Sequence, residues 1–113
     1  LIVEDNNEIR HYLSSGLAEL FNTLEAGNGE EALEKLKENE VDIIVTDVMM
    51  PVMDGIQATE KIRTISLSVP IIAVTAYAFY TEQQQAIQAG CNAVISKPYS
   101  LEKLKETIET YIG

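Results

Sequence analysis

The feature that most constrains the fold of this chain is an apolar segment that ends in a single carboxylate. Residues 41–46 read VDIIVT, and a nearly unbroken β-branched run is typical of a strand buried on both faces of a parallel sheet. Pro51 and Gly55 lie in the segment that follows and prevent the strand from continuing. Asp47 is therefore predicted at the carboxyl end of a central strand, where open α/β sheets form their ligand crevices. Alone, such an aspartate is more often a turn or cap residue, so its interpretation as a site depends on its neighbours.

Length and composition indicate one globular domain over residues 1–113 with a single core. A hydrophobic content of 46% and a charged content of 23% argue against disorder. No apolar run reaches the length needed to span a membrane, and no signal peptide is recognisable. Because the chain begins within the apolar run Leu1-Ile2-Val3, we expect its natural first strand to be slightly truncated.

The charge balance and the cysteine count restrict the partners and the compartment. The single cysteine, Cys91, cannot form an internal disulfide, and we expect it to be partly buried in a cytoplasmic protein. Eight basic and eighteen acidic residues give a formal net charge of −10, which opposes direct binding to nucleic acid or to an anionic membrane. An acidic chain that handles phosphate would need a bound cation to offset its own field.

Strand and helix patterns alternate along the whole chain. Strands are predicted for residues 1–3, 21–26, 41–46, 69–75 and 92–96, and helices for residues 9–20, 30–39, 55–65, 81–89 and 101–112. Cap signals in the polar corner of residues 4–7, at Gly90 and at Ser100 delimit three of the helices. Five strands that alternate with five helices predict an α/β doubly wound parallel sheet. A chain of this size fits the flavodoxin-like strand order 2-1-3-4-5.

This strand order brings the polar residues at four strand ends to one edge of the sheet. They are Glu4 and Asp5 after the first strand, Asp47 after the third, Thr75 at the end of the fourth and Lys97 after the fifth. Clustered carboxylates without His or Cys favour a hard cation, Mg²⁺ in particular. A lysine and a hydroxyl beside them predict a phosphoryl-binding site, with Asp47 as the nucleophile of an aspartyl phosphate.

At this point the chain resembles, over essentially its whole length, the receiver domain of two-component response regulators. The resemblance is carried by VEDN at residues 3–6, TDVMMPVMDG at residues 46–55, VTAYA at residues 74–78 and SKP at residues 96–98. Each motif alone is unspecific, whereas their order and spacing together are highly specific.

The resemblance implies a phosphoacceptor and a metal site. Asp47 would accept a phosphoryl group from the phosphohistidine of a partner kinase. Mg²⁺ would be bound by Asp5, Asp47 and the backbone carbonyl of Met49, with Glu4 acting through a metal-bound water. The domain would promote its own phosphorylation and dephosphorylation without being a conventional enzyme.

The resemblance also implies how the phosphoryl group becomes a signal. Thr75 would move to hydrogen-bond the phosphoryl oxygens while Lys97 pairs with them, and the Lys97-Pro98 peptide is often cis in this family. The added charge at Asp47 would bias a two-state element of the fold.

Several positions are expected to tune this switch. In the family, the residues at the places of Met49 and Tyr77 set the lifetime of the phosphoryl group. Neither is acidic or amide here, so we expect little assistance to the attacking water and a long-lived phosphoryl state. Many receivers carry an aromatic residue where this chain has Val94. Residues that offer a substitute are Tyr77, Phe79, Tyr80 and Tyr99.

The resemblance implies docking of a histidine kinase or a phosphotransfer domain on the first helix and the loop after the fifth strand. These segments contain Asn7, Arg10, Leu13 and the Pro98-Tyr99 pair. An output domain or a dimer partner is also compatible with the pattern. The amino-acid sequences of residues 75–78 (TAYA) and 96–98 (SKP) favour the receiver segment of a hybrid sensor histidine kinase. A stand-alone receiver and a fragment of a transcription factor remain open.

Two other classes use a carboxylate or a phosphate site at such an edge. A phosphohydrolase of the haloacid-dehalogenase type needs a second aspartate where this chain has Met49. A flavodoxin-like cofactor binder needs a phosphate loop rich in Thr, Ser and Gly where this chain has Glu4 and Asp5. A degenerate receiver is disfavoured because every chemical position is filled. His11 lacks the context of a phosphotransfer histidine and is interpreted as an ordinary surface residue.

Overall fold

The structure, a computed structural model, describes residues 1–48, 55–75 and 80–112. Strands and helices alternate along this part of the chain, as the sequence predicts. The strands are β1 (Ile2–Val3), β2 (Glu25–Ala26), β3 (Ile44–Asp47), β4 (Ile71–Thr75) and β5 (Ala93–Ser96). The helices are α1 (Asn7–Leu17), α2 (Gly29–Glu38), α3 (Gly55–Ile65), α4 (Tyr80–Ala89) and α5 (Leu101–Ile112). The predictions for Met49 and Tyr77 concern residues outside the described ranges.

The five strands form one parallel sheet in the order β2-β1-β3-β4-β5. This order confirms the predicted flavodoxin-like doubly wound fold. The register pairs Asp47 of β3 with Val74 of β4, and Thr75 with Ser96 of β5. Since all strands run in the same direction, their carboxyl ends meet at one edge of the sheet.

Side chains of β4 alternate between two apolar clusters, one on each face of the sheet. Ile71 and Ala73 pack in the cluster that contains Ile62 of α3. Ile72 packs in the cluster that contains Leu104 of α5. Every residue of β3 and β4 is buried, which explains why their sequences lack the polar alternation of a half-exposed strand.

All five strands are shorter than the apolar pattern predicts, and β2 is shortened most. We expected the second strand over residues 21–26, but the Phe21 N–H donates to the Leu17 carbonyl at 2.9 Å and extends the last turn of α1. The third strand begins at Ile44 rather than at residue 41. Because Pro70 has no N–H to donate, the ladder between β3 and β4 begins beyond it.

On three helices, the apolar residues at helical spacing extend beyond the part of the helix that is buried against the sheet. Residues at the ends of these series are more than one third exposed: Ile9, Leu20, Ile65 and Ile112. A helix of 11 or 12 residues is about 17 Å long, whereas the two-residue strand β1 spans only about 7 Å. The helix ends therefore extend beyond the sheet, and these four apolar side chains are partly in contact with solvent.

Predicted caps are present at the N-termini of two helices and at the C-terminus of a third. The Asn6 side chain accepts from the Ile9 N–H at 3.0 Å, and the Ser100 hydroxyl accepts from the Lys103 N–H at 3.0 Å. Gly90 follows α4 with a φ of 120°, a conformation that favours glycine. Within the described ranges, no helix combines the length and the apolarity needed to cross a membrane.

Gly55 joins the start of α3 to the end of β3. Its N–H donates to the Val48 carbonyl at 2.9 Å. A Cβ atom at this position would overlap the Asp47 carbonyl oxygen and would lie 2.9 Å from the Val48 Cα atom. Both obstacles are backbone atoms, which cannot rotate away. The close approach of α3 to the residue that carries the central carboxylate therefore requires glycine.

We predict that Gly55→Ala lowers the free energy of unfolding by about 1–3 kcal/mol because the added methyl overpacks the backbone. The matched control is Gly16→Ala in α1, where the methyl would meet the flexible Leu101 side chain. Alanine is also favoured over glycine inside a helix by about 0.5–1 kcal/mol. Urea denaturation of both variants measures the difference. Equal stability of Gly55→Ala and the wild type would contradict the close approach.

Candidate functional site

Four strands deliver polar side chains to the carboxyl edge of the sheet. Asp47 and Thr75 are the last residues of β3 and β4, Glu4 follows β1 and Lys97 follows β5. The Lys97 N–H donates to the Thr75 carbonyl at 2.8 Å, so the backbone beyond β5 remains paired with the end of β4. The fold therefore brings together four of the residues that the sequence singled out.

Three carboxylates meet at this edge. Carboxylate oxygens of Glu4, Asp5 and Asp47 lie within 4.8 Å of one another. Glu4 and Asp47 are buried, with 5% and 6% of their surface exposed, whereas Asp5 is exposed. Like charges repel strongly where water is largely excluded. A cluster of this kind is therefore stabilised by a proton or by a cation.

The titration of Glu4 reflects this repulsion. Burial raises the pKa of Glu4 to about 7, and a hydrogen bond to Asp47 and the Asp47 charge act in the same direction. The positive charge of Lys97 and a backbone hydrogen bond with Asn6 oppose the increase. Without a metal, the protonated form of Glu4 is therefore favoured as the pH falls below about 7, and this form can donate a hydrogen bond to Asp47.

Lys97 forms an ion pair with Asp47, the predicted nucleophile. Its Nζ atom lies 3.2 Å from Asp47 Oδ2, which is the distance of a charge-assisted hydrogen bond. The Lys97 side chain is 34% exposed and the Asp47 side chain 7% exposed. The ammonium group thus lies between the buried carboxylate and solvent, where it would meet an anion that approaches Asp47.

The donor set fits a hard divalent cation. All three groups are carboxylates, and the cluster found in the described ranges contains no His or Cys. Mg²⁺ prefers oxygen ligands, binds through few carboxylates and keeps several waters. Two buried carboxylates and one exposed carboxylate offer protein ligands on one side and access to solvent on the other.

Tyr99 lies close enough to this edge to respond to its charges. It is partly buried against the apolar cluster that contains Leu104. Burial raises the pKa of the Tyr99 hydroxyl, and the negative charges of Glu4 and Asp47 raise it further. Val94 is partly buried against the opposite cluster. The substitution of Tyr99 for the aromatic residue that is absent at position 94 stays a hypothesis.

Further predictions concern the Lys97-Pro98 peptide, Met49 and Tyr77. The peptide bond between Lys97 and Pro98 is cis, as the family resemblance leads us to expect. The backbone carbonyl of Met49 and the side chain of Tyr77 lie outside the described ranges, so their roles stay predictions.

The exposed face of α1 differs from the expected partner surface. Leu13, which lies in the segment named for partner docking, is 5% exposed and packs in the core, because it lies on the side of the helix that faces the sheet. Its apolar side chain is therefore not available to a partner. Ile9 is 44% exposed and Tyr12 is 63% exposed. His11 is exposed, as expected for an ordinary surface histidine.

Sequence analysis missed one contact that bears on the site. Arg10 was assigned only to the partner surface, but its guanidinium donates to the Glu4 carbonyl oxygen at 2.8 Å. The available signal was an arginine in the first turn of the helix that follows an acidic pair. Such an arginine is too common on helix surfaces to predict this contact.

The sequence of this chain is similar to known proteins over nearly its whole length. The family model for the response regulator receiver domain matches residues 1–109. The sensor histidine kinase RcsC of Salmonella typhi is 38% identical over 112 residues, which are 98% of this chain but 12% of RcsC. The polar-differentiation response regulator DivK of Brucella anthropi is 37% identical over 117 residues, covering 100% of this chain and 94% of DivK.

Solved structures agree with these relatives. The receiver domain of sensor histidine kinase PA1611 from Pseudomonas aeruginosa, which holds a magnesium ion in its active site cleft, is similar at a TM-score of 0.90 and 31% identity, covering 99% of this chain and 94% of that domain. The chemotaxis protein CheY4 of Vibrio cholerae is similar at a TM-score of 0.93 and 29% identity, covering 97% and 94%. With the family match over nearly all of its length, this chain belongs to the response regulator receiver domains of two-component systems.

Proposed function

We propose that this receiver domain accepts a phosphoryl group on Asp47 from the phosphohistidine of a histidine kinase or a phosphotransfer domain. The observation that carries the proposal is the placement of the Asp47 carboxylate between two further carboxylates and the Lys97 ammonium. Receiver domains interact with histidine kinases or phosphotransfer proteins, and the site offers the groups that a phosphoryl transfer requires.

In the proposed transfer, a carboxylate oxygen of Asp47 attacks the phosphorus atom. The new O–P bond forms as the N–P bond breaks, and the imidazole nitrogen keeps the electron pair of the broken bond. Lys97 would exchange its ion pair with Asp47 for one with the phosphoryl oxygens. Thr75, whose carbonyl is bound to the Lys97 N–H, would donate its hydroxyl to the same oxygens.

Mg²⁺ would be held by Asp5, Asp47 and the carbonyl of Met49, with Glu4 acting through a bound water. When bound, it supplies the positive charge that offsets the repulsion between these carboxylates and an incoming phosphoryl group. The elevated pKa of Glu4 supports this proposal, because it indicates that three ionised carboxylates are unfavourable here without a counter-ion.

We also propose a long phosphoryl lifetime and a hybrid-kinase parent. Met49 and Tyr77 carry no carboxylate or amide that would orient the attacking water. The amino-acid sequences of residues 75–78 and 96–98 favour the receiver segment of a hybrid sensor histidine kinase, and the similarity to RcsC supports that context.

We predict that incubation with acetyl phosphate and Mg²⁺ adds one phosphoryl group to the wild type and none to Asp47→Asn. The reason is that the amide cannot act as the acceptor nucleophile. The matched control is Asp42→Asn, which removes the same charge from an exposed position just before β3. Intact mass spectrometry measures the adduct, and a chelator added before acetyl phosphate should abolish it.

Two results would overturn this assignment. A phosphoryl adduct that survives in Asp47→Asn would place the acceptor elsewhere. Repeated turnover of acetyl phosphate to inorganic phosphate without a detectable adduct would favour the phosphohydrolase alternative.

We predict that the phosphoryl group on the wild type outlasts that on Met49→Asn, because an amide at this position would help to orient the attacking water. Met50→Asn is the control for adding an amide to the same loop. After removal of acetyl phosphate, the decay of the phosphorylated mass gives each lifetime. Decay of the wild type as fast as that of Met49→Asn would show that this position does not protect the phosphoryl group.

A further inference from the structure

The guanidinium of Arg10 connects α1 to the acidic corner of the site, which is formed by Glu4 and Asp5. Its Nη1 atom donates to the Glu4 carbonyl oxygen at 2.8 Å, and its Nε atom donates to Glu25 Oε1 at 3.3 Å. Its Nη2 atom donates to the Asn7 side-chain oxygen. The Arg10 side chain is 19% exposed, so most of it is withdrawn from solvent. All three nitrogen atoms of the side chain therefore hold an acceptor on a different residue.

The Glu4 carbonyl belongs to the peptide that joins the two acidic residues of this corner. The N–H on the other side of Glu4 donates to the Ala26 carbonyl at 3.0 Å, so β2 holds one side of the residue and Arg10 the other. The orientation of this peptide sets the directions in which the Glu4 and Asp5 side chains leave the backbone. A donor that fixes the carbonyl thus acts on both carboxylates without touching either.

We propose that Arg10 is a positioning residue for the cation site, which orients the Glu4 and Asp5 carboxylates by holding the peptide between them. The inference rests on the proposed function of that site. Some groups do not bind the metal but hold its ligands in the correct orientation. Removal of such a group typically lowers metal affinity by about 10- to 100-fold.

The surroundings of Arg10 favour a role in geometry over a role in charge. A positive charge beside a cation site weakens cation binding by repulsion. Glu25, on the neighbouring strand, pairs with the guanidinium and offsets that charge. Gly27 leaves little room beside it, since a Cβ atom there would lie 3.3 Å from Nη1. The guanidinium is thus held in place while its charge is balanced.

A positioning role and a purely electrostatic role of Arg10 predict changes of opposite sign in Mg²⁺ affinity when Arg10 is replaced. If Arg10 acted only through its charge, its removal would strengthen Mg²⁺ binding. If it positions the acidic corner, its removal weakens Mg²⁺ binding although the protein becomes more negative. A residue that merely supports the fold would lower the stability to urea and leave the Mg²⁺ affinity of the folded protein unchanged.

The experiment is a titration of the full chain with Mg²⁺ alone, followed by calorimetry and by NMR of the backbone amides. We expect Arg10→Gln to weaken Mg²⁺ binding by about tenfold. The matched control is Lys37→Gln, which removes the same charge from an exposed position on α2 and should leave the affinity within about twofold, because exposed distant charges are screened. Arg10→Lys keeps the charge but loses the planar fork, so it should also weaken binding.

A second readout needs no metal. In the metal-free protein, we expect the amides of residues 4–6 to exchange faster in Arg10→Gln than in Lys37→Gln, because the corner loses one of its two backbone anchors. Glu25→Gln should weaken Mg²⁺ binding less than Arg10→Gln, since the bond to the Glu4 carbonyl remains. If Arg10→Gln is too unstable to study, Arg10→Lys takes its place in both measurements.

The outcomes separate this inference from the proposed function. Unchanged or stronger Mg²⁺ binding in folded Arg10→Gln and Arg10→Lys would overturn the positioning role, even while the wild type binds Mg²⁺ and forms its adduct at Asp47. Failure of the wild type itself to bind Mg²⁺ would overturn the proposed function together with the inference.

Discussion

The repulsion among three carboxylates at one edge of the sheet is the constraint on which the rest of the site depends. Glu4, Asp5 and Asp47 lie within 4.8 Å of one another in a chain whose formal net charge is already −10. Burial of two of them makes their ionised forms costly. The pKa of Glu4, raised to about 7, is the direct consequence. The fold therefore holds an arrangement that becomes favourable when positive charge arrives.

The backbone provides the rigidity that this arrangement needs. Asp47 ends a strand that is buried throughout, and its carbonyl lies against Gly55 at the start of α3. At Glu4, the backbone N–H donates to a carbonyl of β2, and the backbone carbonyl accepts from Arg10. Because the Glu4 and Asp47 side chains are buried, these two carboxylates have little room to move apart. A proton, Lys97 or a cation must relieve their repulsion instead.

Much of this could be predicted from the sequence, because strand ends and strand order are readable from local patterns. The run before Asp47 predicted a buried strand, and the alternation of elements predicted the order that brings Glu4, Asp47 and Lys97 together. Features that depend on where a helix ends relative to the sheet could not be predicted. The apolar spacing is the same for Leu13, which is buried, and for Ile9, which is 44% exposed. The contact of Arg10 with the Glu4 carbonyl depends on how α1 lies against the end of β1, which no local pattern specifies.

The same electrostatics couples Lys97 directly to the charge of Asp47. Its Nζ atom is 3.2 Å from the carboxylate, while its backbone N–H is bound to the Thr75 carbonyl. A force on the ammonium group is therefore transmitted to the paired ends of β4 and β5. Tyr99 follows in the same segment and packs against the cluster that contains Leu104 of α5. Bonded and packed groups thus form a continuous path from Asp47 to the side of the domain formed by β5 and α5.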